Sequence, residues 1–133
     1  MVENSESKLE RVLLVDDDKE IVNTMKIAIG MDDRISCEIV EAYDGNEAIE
    51  MCERNNPKVV ILDMMLPKRS GFLVLEKIKK RTEKDSAPYV IMITGNPGRR
   101  HQTYAESLGV CEYLVKPFKM EALTDKIVKY LGK

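Results

Sequence analysis

Asp16, Asp17 and Asp18 close the first apolar run of this 133-residue chain, Asp63 closes the third, Thr94 the fourth and Lys116 the last. Carboxylates held close together repel, so at least one of them takes up a proton unless a cation neutralises the group. A hard divalent ion, Mg2+ above all, meets that need because it prefers oxygen ligands and keeps several of its waters. The other residue types suit an anion. Lys116 is a flexible point charge and Thr94 a hydroxyl donor, and with the metal they could surround the three equatorial oxygens of a transferring phosphoryl group. A carboxylate can be the nucleophile of such a transfer, forming an aspartyl phosphate, and Asp63 is the residue placed for it.

Asp17 and Asp63 are 63 − 17 = 46 residues apart, so only a fold can bring them together. The runs 11–15, 58–62, 89–93 and 113–115 are β-branched or aliphatic and do not alternate, as expected of parallel strands buried on both faces. The more mixed run 37–42 reads as an edge strand, ending in a turn at Tyr43-Asp44-Gly45. Between the runs lie amphipathic segments carrying Ala48, Ile49 and Cys52, then Phe72, Leu75 and Ile78, and finally Leu123, Ile127 and Leu131. Five strand-then-helix units predict an α/β domain with helices on both faces of a parallel sheet. In such sheets ligands bind outside the carboxyl ends of the strands, where these acidic, hydroxyl and ammonium groups fall. Each residue alone has a plainer reading: Asp17 or Asp18 as the cap of a helix starting near Lys19, Thr94 as a turn residue, Lys116 as a solvated charge.

The set Val15-Asp16-Asp17, Asp63-Met64-Met65-Leu66-Pro67-Lys68-Arg69-Ser70-Gly71, Thr94-Gly95 and Tyr113-Leu114-Val115-Lys116-Pro117-Phe118 resembles the receiver domain of two-component response regulators. The resemblance covers residues 10–132, leaving 1–9 as a polar N-terminal extension. It implies a flavodoxin-like, doubly wound five-stranded parallel sheet in the order 2-1-3-4-5, an order the runs alone do not dictate. It also implies the roles. Asp16 and Asp17 match the acidic pair that binds Mg2+, Asp63 the phosphoacceptor, and Met65 the position whose backbone carbonyl completes the metal shell. Thr94 matches the switch hydroxyl, Tyr113 the aromatic that swings inward on activation, and Lys116 the site lysine, joined to Pro117 by a cis bond.

The implied function is phosphorelay signalling. A histidine kinase or phosphotransfer protein supplies the phosphoryl group, and a downstream protein reads a surface within residues 97–131. The chain is then a switch that catalyses only its own phosphorylation and dephosphorylation, as a monomer or weak dimer. Met65 and Asn96, two residues beyond Asp63 and Thr94, flank the expected path of the hydrolytic water, and the phosphoryl lifetime is expected to depend on both. Gly95 leaves the rim open to a phosphodonor. Two other readings are kept: a receiver excised from a longer DNA-binding regulator or hybrid kinase, and an aspartate-nucleophile phosphohydrolase. The latter normally sets a general acid beside its nucleophile, where this chain has Met65.

Composition is consistent with one domain of 15.2 kDa, 44% hydrophobic. A net charge of −2 and a pI near 5.6 give no electrostatic reason for direct nucleic-acid binding, and the basic flank of Arg99, Arg100 and the last helix reads as a solvated face. The polar start, Met1 to Ser7, has no signal-peptide or membrane pattern, which points to the cytoplasm. Cys37, Cys52 and Cys111 lack metal-type spacing and read as reduced, buried thiols. The single histidine, His101, is expected at the surface, and exposed methionines near Met64 and Met65 are candidates for docking. Asp16 to Glu20 lacks the glycine and distal glutamate of a calcium loop, and Gly95-Asn96-Pro97-Gly98 is not followed by the Gly-Lys-Ser or Gly-Lys-Thr of a phosphate loop.

Overall fold

The computed structural model describes residues 9–68, 70–81, 87–95 and 98–133. The stretches 1–8 and 82–86, Arg69, Asn96 and Pro97 lie outside the described residues, and with them the part assigned above to Asn96. Five strands alternate with five helices: β1 (Arg11–Val15), α1 (Lys19–Gly30), β2 (Glu38–Ala42), α2 (Gly45–Asn55), β3 (Val59–Asp63), α3 (Gly71–Arg81), β4 (Tyr89–Thr94), α4 (Arg99–Ser107), β5 (Glu112–Val115) and α5 (Met120–Leu131). The strands pair in parallel in the order β2-β1-β3-β4-β5, as the resemblance implies.

The non-alternating runs are explained by two cores, one on each face of the sheet. Val12, Leu14, Val59, Ile61, Ile91 and Ile93 face α1 and α5, where Val22, Met25, Ile29, Leu123 and Ile127 complete the layer. Their sequence neighbours Leu13, Val15, Val60, Leu62, Val90 and Met92 face the other way, onto Ala48 of α2, Val74, Leu75 and Ile78 of α3, and Ala105 of α4. Successive side chains of a strand point to opposite faces, so a strand covered on both sides must be apolar throughout. Each such side chain contributes about 1.5–3 kcal/mol of burial, which makes the central strands the rigid part of the molecule. β2 is the less buried edge strand, only Ala42 being fully enclosed. Its Glu38 pairs with Arg11 at 2.9 Å and its Glu41 with Lys26.

Local chemistry fixes where the helices start. The Asp18 side chain accepts from the backbone N–H groups of Glu20 and Ile21, so Asp18 is the cap that the plainer reading allowed. At α2 the exchange is reciprocal: Asp44 Oδ1 accepts from Glu47 N at 2.8 Å, and Glu47 Oε1 accepts from Tyr43 N at 2.7 Å. α2 stops at Asn56, which adopts the left-handed conformation and donates its N–H to the Cys52 carbonyl.

Three expectations need correction. His101 is only partly exposed: its ring stacks on Phe72 of α3 at 5.9 Å, Phe72 also meets Tyr104 edge-on at 5.0 Å, and the imidazole Nδ1 is buried. The single ring of α3, Phe72, packs against His101 and Tyr104 of α4, a contact that composition alone does not show. Met64 is buried, and of the pair only Met65 is exposed. The three thiols are free, as expected, but only half-buried.

Candidate phosphoryl-transfer site

Strand register assembles the site. Val15 is level with Leu62, so Asp16 follows β1 at the height of Asp63 in β3. Asp63 is level with Ile93, which sets Thr94 one residue further out, and Thr94 is level with Val115, so Lys116 stands one step beyond. Four chain segments thereby place Asp16, Asp63, Thr94 and Lys116 along one edge, rising by about one residue per step across β3, β4 and β5.

Asp63 is 4% exposed. Its Oδ1 accepts the backbone N–H of Met65 at 3.0 Å, and Lys116 Nζ donates to its Oδ2 at 3.4 Å. Asp16 is equally enclosed: its Oδ1 accepts from Asp18 N at 2.9 Å, while Lys116 Nζ is 3.8 Å from its Oδ2. Burial pushes the Asp16 carboxyl up to about 6, and the negative charge of Asp63 adds to the rise; the Asp18 N–H and the Lys116 ammonium oppose it without cancelling it. One ammonium therefore serves two buried carboxylates.

Ligand oxygens of Asp16, Asp17 and Asp63 all lie within 4.8 Å of one another. Asp16 Oδ2 is buried and accepts no hydrogen bond. An orphaned carboxylate oxygen inside an acidic cluster is the donor set a hard divalent cation takes, so these residues fit Mg2+. The Met65 side chain points to solvent, 71% exposed, while its backbone N–H is bound to Asp63, which brings its peptide to the cluster.

Thr94 is fully buried, and its carbonyl accepts Lys116 N at 2.8 Å, tying β4 to the segment that carries the ammonium. The Lys116–Pro117 bond is cis, as the resemblance implies. Tyr113 is half-buried with its hydroxyl enclosed. Burial raises its phenol above the usual value, and the neighbouring Thr94 hydroxyl acts against that rise. The two groups expected to move together are therefore adjacent.

Two contributors carried no physical role in the sequence reading. A Cβ on Gly71 would stand 2.6 Å from Met64 Cα and 2.7 Å from the Asp63 carbonyl, so only glycine lets α3 begin against the end of β3. Its N–H donates to the Met64 carbonyl at 2.8 Å. Lys68, at φ 71°, reaches Asp44 at 3.3 Å, and Gly45 N donates to the Pro67 carbonyl at 3.3 Å. These contacts lock the turn after β2 to the loop after Asp63. The signal for the first was a glycine eight residues after Asp63; for the second, Asp44 followed three residues later by Glu47.

Comparison with known proteins agrees with this geometry. The family model for the response regulator receiver domain matches residues 12–128. A response regulator receiver domain protein (CheY-like) from Methanospirillum hungatei JF-1 is similar in structure with a TM-score of 0.83, at 26% identity over 94% of this chain and 95% of that one. The receiver domain of the Francisella response regulator 1452 gives a TM-score of 0.80, at 26% identity over 93% of this chain and 99% of that one. Among curated proteins, the probable transcriptional regulator ycf27 of Guillardia theta is 36% identical over 118 residues, 89% of this chain and 44% of its own length. Its namesake from Porphyridium aerugineum is 29% identical over 118 residues, 46% of its length. The chain thus spans less than half the length of these curated relatives.

Proposed function

The chain belongs to the response regulator receiver domain family and is a signalling module of two-component systems; from that premise we propose that Asp63 is its phosphoacceptor. The observation that carries this reading is the position of Asp63: a strand-end carboxylate held by Met65 N–H on one oxygen and faced by Lys116 on the other, beside a second buried carboxylate. An Asp63 oxygen attacks phosphorus, the O–P bond forms, and the bond to the donor's nitrogen or acyl oxygen breaks with its electron pair leaving on the donor. Asp16, Asp17, Asp63 and the Met65 carbonyl would hold Mg2+, which would neutralise charge building on the phosphoryl oxygens. Lys116 fixes the Asp63 oxygen before transfer and meets a phosphoryl oxygen after it.

The product carries about 1.5–2 negative charges where one stood before. Thr94 turns towards these new acceptors, Tyr113 follows into the space beside it, and α4 repacks. This is a shift between two populations, with coupling typically about 1–3 kcal/mol. The phosphodonor is a histidine kinase or a phosphotransfer protein, and the output is a protein contact within residues 97–131. The name of the curated relatives supports a transcriptional output. Among the described residues no helix is long and apolar enough to cross a membrane, and three free thiols favour the reducing cytoplasm.

Intact mass after incubation with acetyl phosphate and Mg2+ tests the reading. The native chain should gain one phosphoryl group; Asp63→Asn and a chelator-treated sample should gain none. A gain that persists in Asp63→Asn overturns the assignment.

A further inference from the structure

At the end of the sheet opposite Asp63 lies a cavity of about 580 Å3, lined among others by Glu10, Lys58, Lys79, Pro88, Tyr89 and Lys133. Three lysines and one glutamate are among its lining residues, in a chain whose net charge is −2. The cationic character is therefore local. Lys58 Nζ donates to the Leu131 carbonyl at 2.9 Å and stands 3.8 Å from Glu10.

Lys79 differs from an ordinary surface lysine. Its stem runs past Gly109, where a Cβ would stand 3.4 Å from Lys79 Cε, an ordinary contact distance. Its Nζ donates to the Pro88 carbonyl at 3.1 Å and has no carboxylate partner among the described residues. Burial lowers the affinity of this amine for its proton. An ammonium has three protons to donate, and one carbonyl takes only one. Among the described residues this half-desolvated cation meets a carbonyl and no carboxylate, and a bound anion would offset that desolvation.

The volume falls in the range of small-molecule sites, about 300–1,000 Å3, and exceeds what a bare phosphate needs. Pro88 and Tyr89 line the cavity beside these lysines. We propose that this cavity binds a phosphate monoester carried on a small ring, of which a nucleoside monophosphate is the simplest form. The phosphate lies between Lys58, Lys79 and Lys133, and the ring against Pro88 and Tyr89. Lys58 precedes β3 and Tyr89 opens β4, the strands that end in Asp63 and Thr94. Five residues at about 3.3 Å each separate Lys58 from Asp63, so this ligand does not touch the phosphorylation chemistry and the proposal stands apart from it.

The test is a heteronuclear NMR titration of the native chain, without acyl phosphate, using adenosine 5′-monophosphate, adenosine and inorganic phosphate separately. Saturable shifts at Lys58, Tyr89 and Cys111 are expected with the monophosphate, at a Kd of about 0.1–1 mM, with adenosine and phosphate each at least about 10-fold weaker. Lys79→Met, whose folding the same spectrum reports, should weaken the monophosphate at least about 10-fold, and so should Lys133→Gln. Absence of saturation by about 10 mM, shifts confined to the Asp63 rim, or unchanged affinity in both variants overturns the proposal. Phosphate binding as tightly as the monophosphate overturns the ring contact.

Discussion

The ammonium of Lys116 lies 3.4 Å from Oδ2 of Asp63, a residue 53 positions earlier in the chain. The same ammonium is 3.8 Å from Asp16. Replacing it with a neutral side chain removes the cation nearest both buried carboxylates. Lys116→Met is expected to slow phosphorylation by acetyl phosphate about 10²–10³-fold, the usual scale for losing one charge-stabilising donor. Stopped-flow or quenched mass measurements of the phosphorylated fraction read this directly. A rate within a factor of about three of the native chain would remove Lys116 from the chemistry.

Asp16 gives a prediction with an unusual sign. Its folded carboxyl sits at about 6, above the ordinary 3.8. A raised folded value means that the native state binds the proton more tightly, so metal-free stability falls as pH rises from about 4 through 6 and the penalty is complete above that. Asp16→Asn should therefore raise metal-free stability at pH 7, by roughly 1–3 kcal/mol once solvent screening is allowed for. It should also abolish most of the stabilisation that millimolar Mg2+ gives the native chain. Urea unfolding with and without Mg2+ separates the two effects, and an Asn variant less stable than native without metal contradicts this account.

Gly71 is a steric requirement. Gly71→Ala must push apart Met64 and the start of α3, since the closest contacts are backbone atoms that cannot rotate away. A loss of about 1–3 kcal/mol in unfolding free energy is expected, together with slower phosphorylation because the displaced segment carries Asp63 and Met65. Gly95→Ala, whose Cβ would meet open space, serves as the control and should leave stability unchanged within about 0.5 kcal/mol.

Glu112 on β5 shows the opposite linkage. Burial alone would raise its carboxyl, but contacts from the Tyr130 hydroxyl, Lys129 and Lys126 outweigh it and hold the group below its usual value. A depressed carboxyl stabilises the fold above the unfolded value near 4.3, and that contribution disappears as pH falls through the folded one. Glu112→Gln should be less stable at pH 7 by under about 1 kcal/mol, given screening at this surface. Its difference from native should shrink as pH falls below the unfolded value and through the depressed folded one, as chemical denaturation across pH would show.

The sheet and the identity of its rim residues were legible because both rest on chain-local signals. Short β-branched runs such as Val59 to Leu62 read as strands covered on both faces, and Asp63, Thr94 and Lys116 end their strands in one direction. Strand order came from resemblance, since each run pairs equally well with any other until the crossovers are built. What the sequence hid depends on contacts between distant segments. His101 turns inward because Phe72 lies across from it, and Gly71 is needed because Met64 passes within 2.6 Å of a Cβ there. The Asp44–Lys68 tie likewise joins two loops that share no periodicity.

The edge strand has a consequence for how the protein survives at high concentration. β2 is only five residues long, and its Glu38 and Glu41 are engaged by Arg11 and Lys26. An exposed strand edge offers unpaired backbone groups on which another chain can polymerise, and brevity and charge are the devices that discourage it. Neutralising both glutamates would leave Ile39 and Val40 flanked by neutral residues on an open edge, the kind of segment from which cross-β aggregates grow.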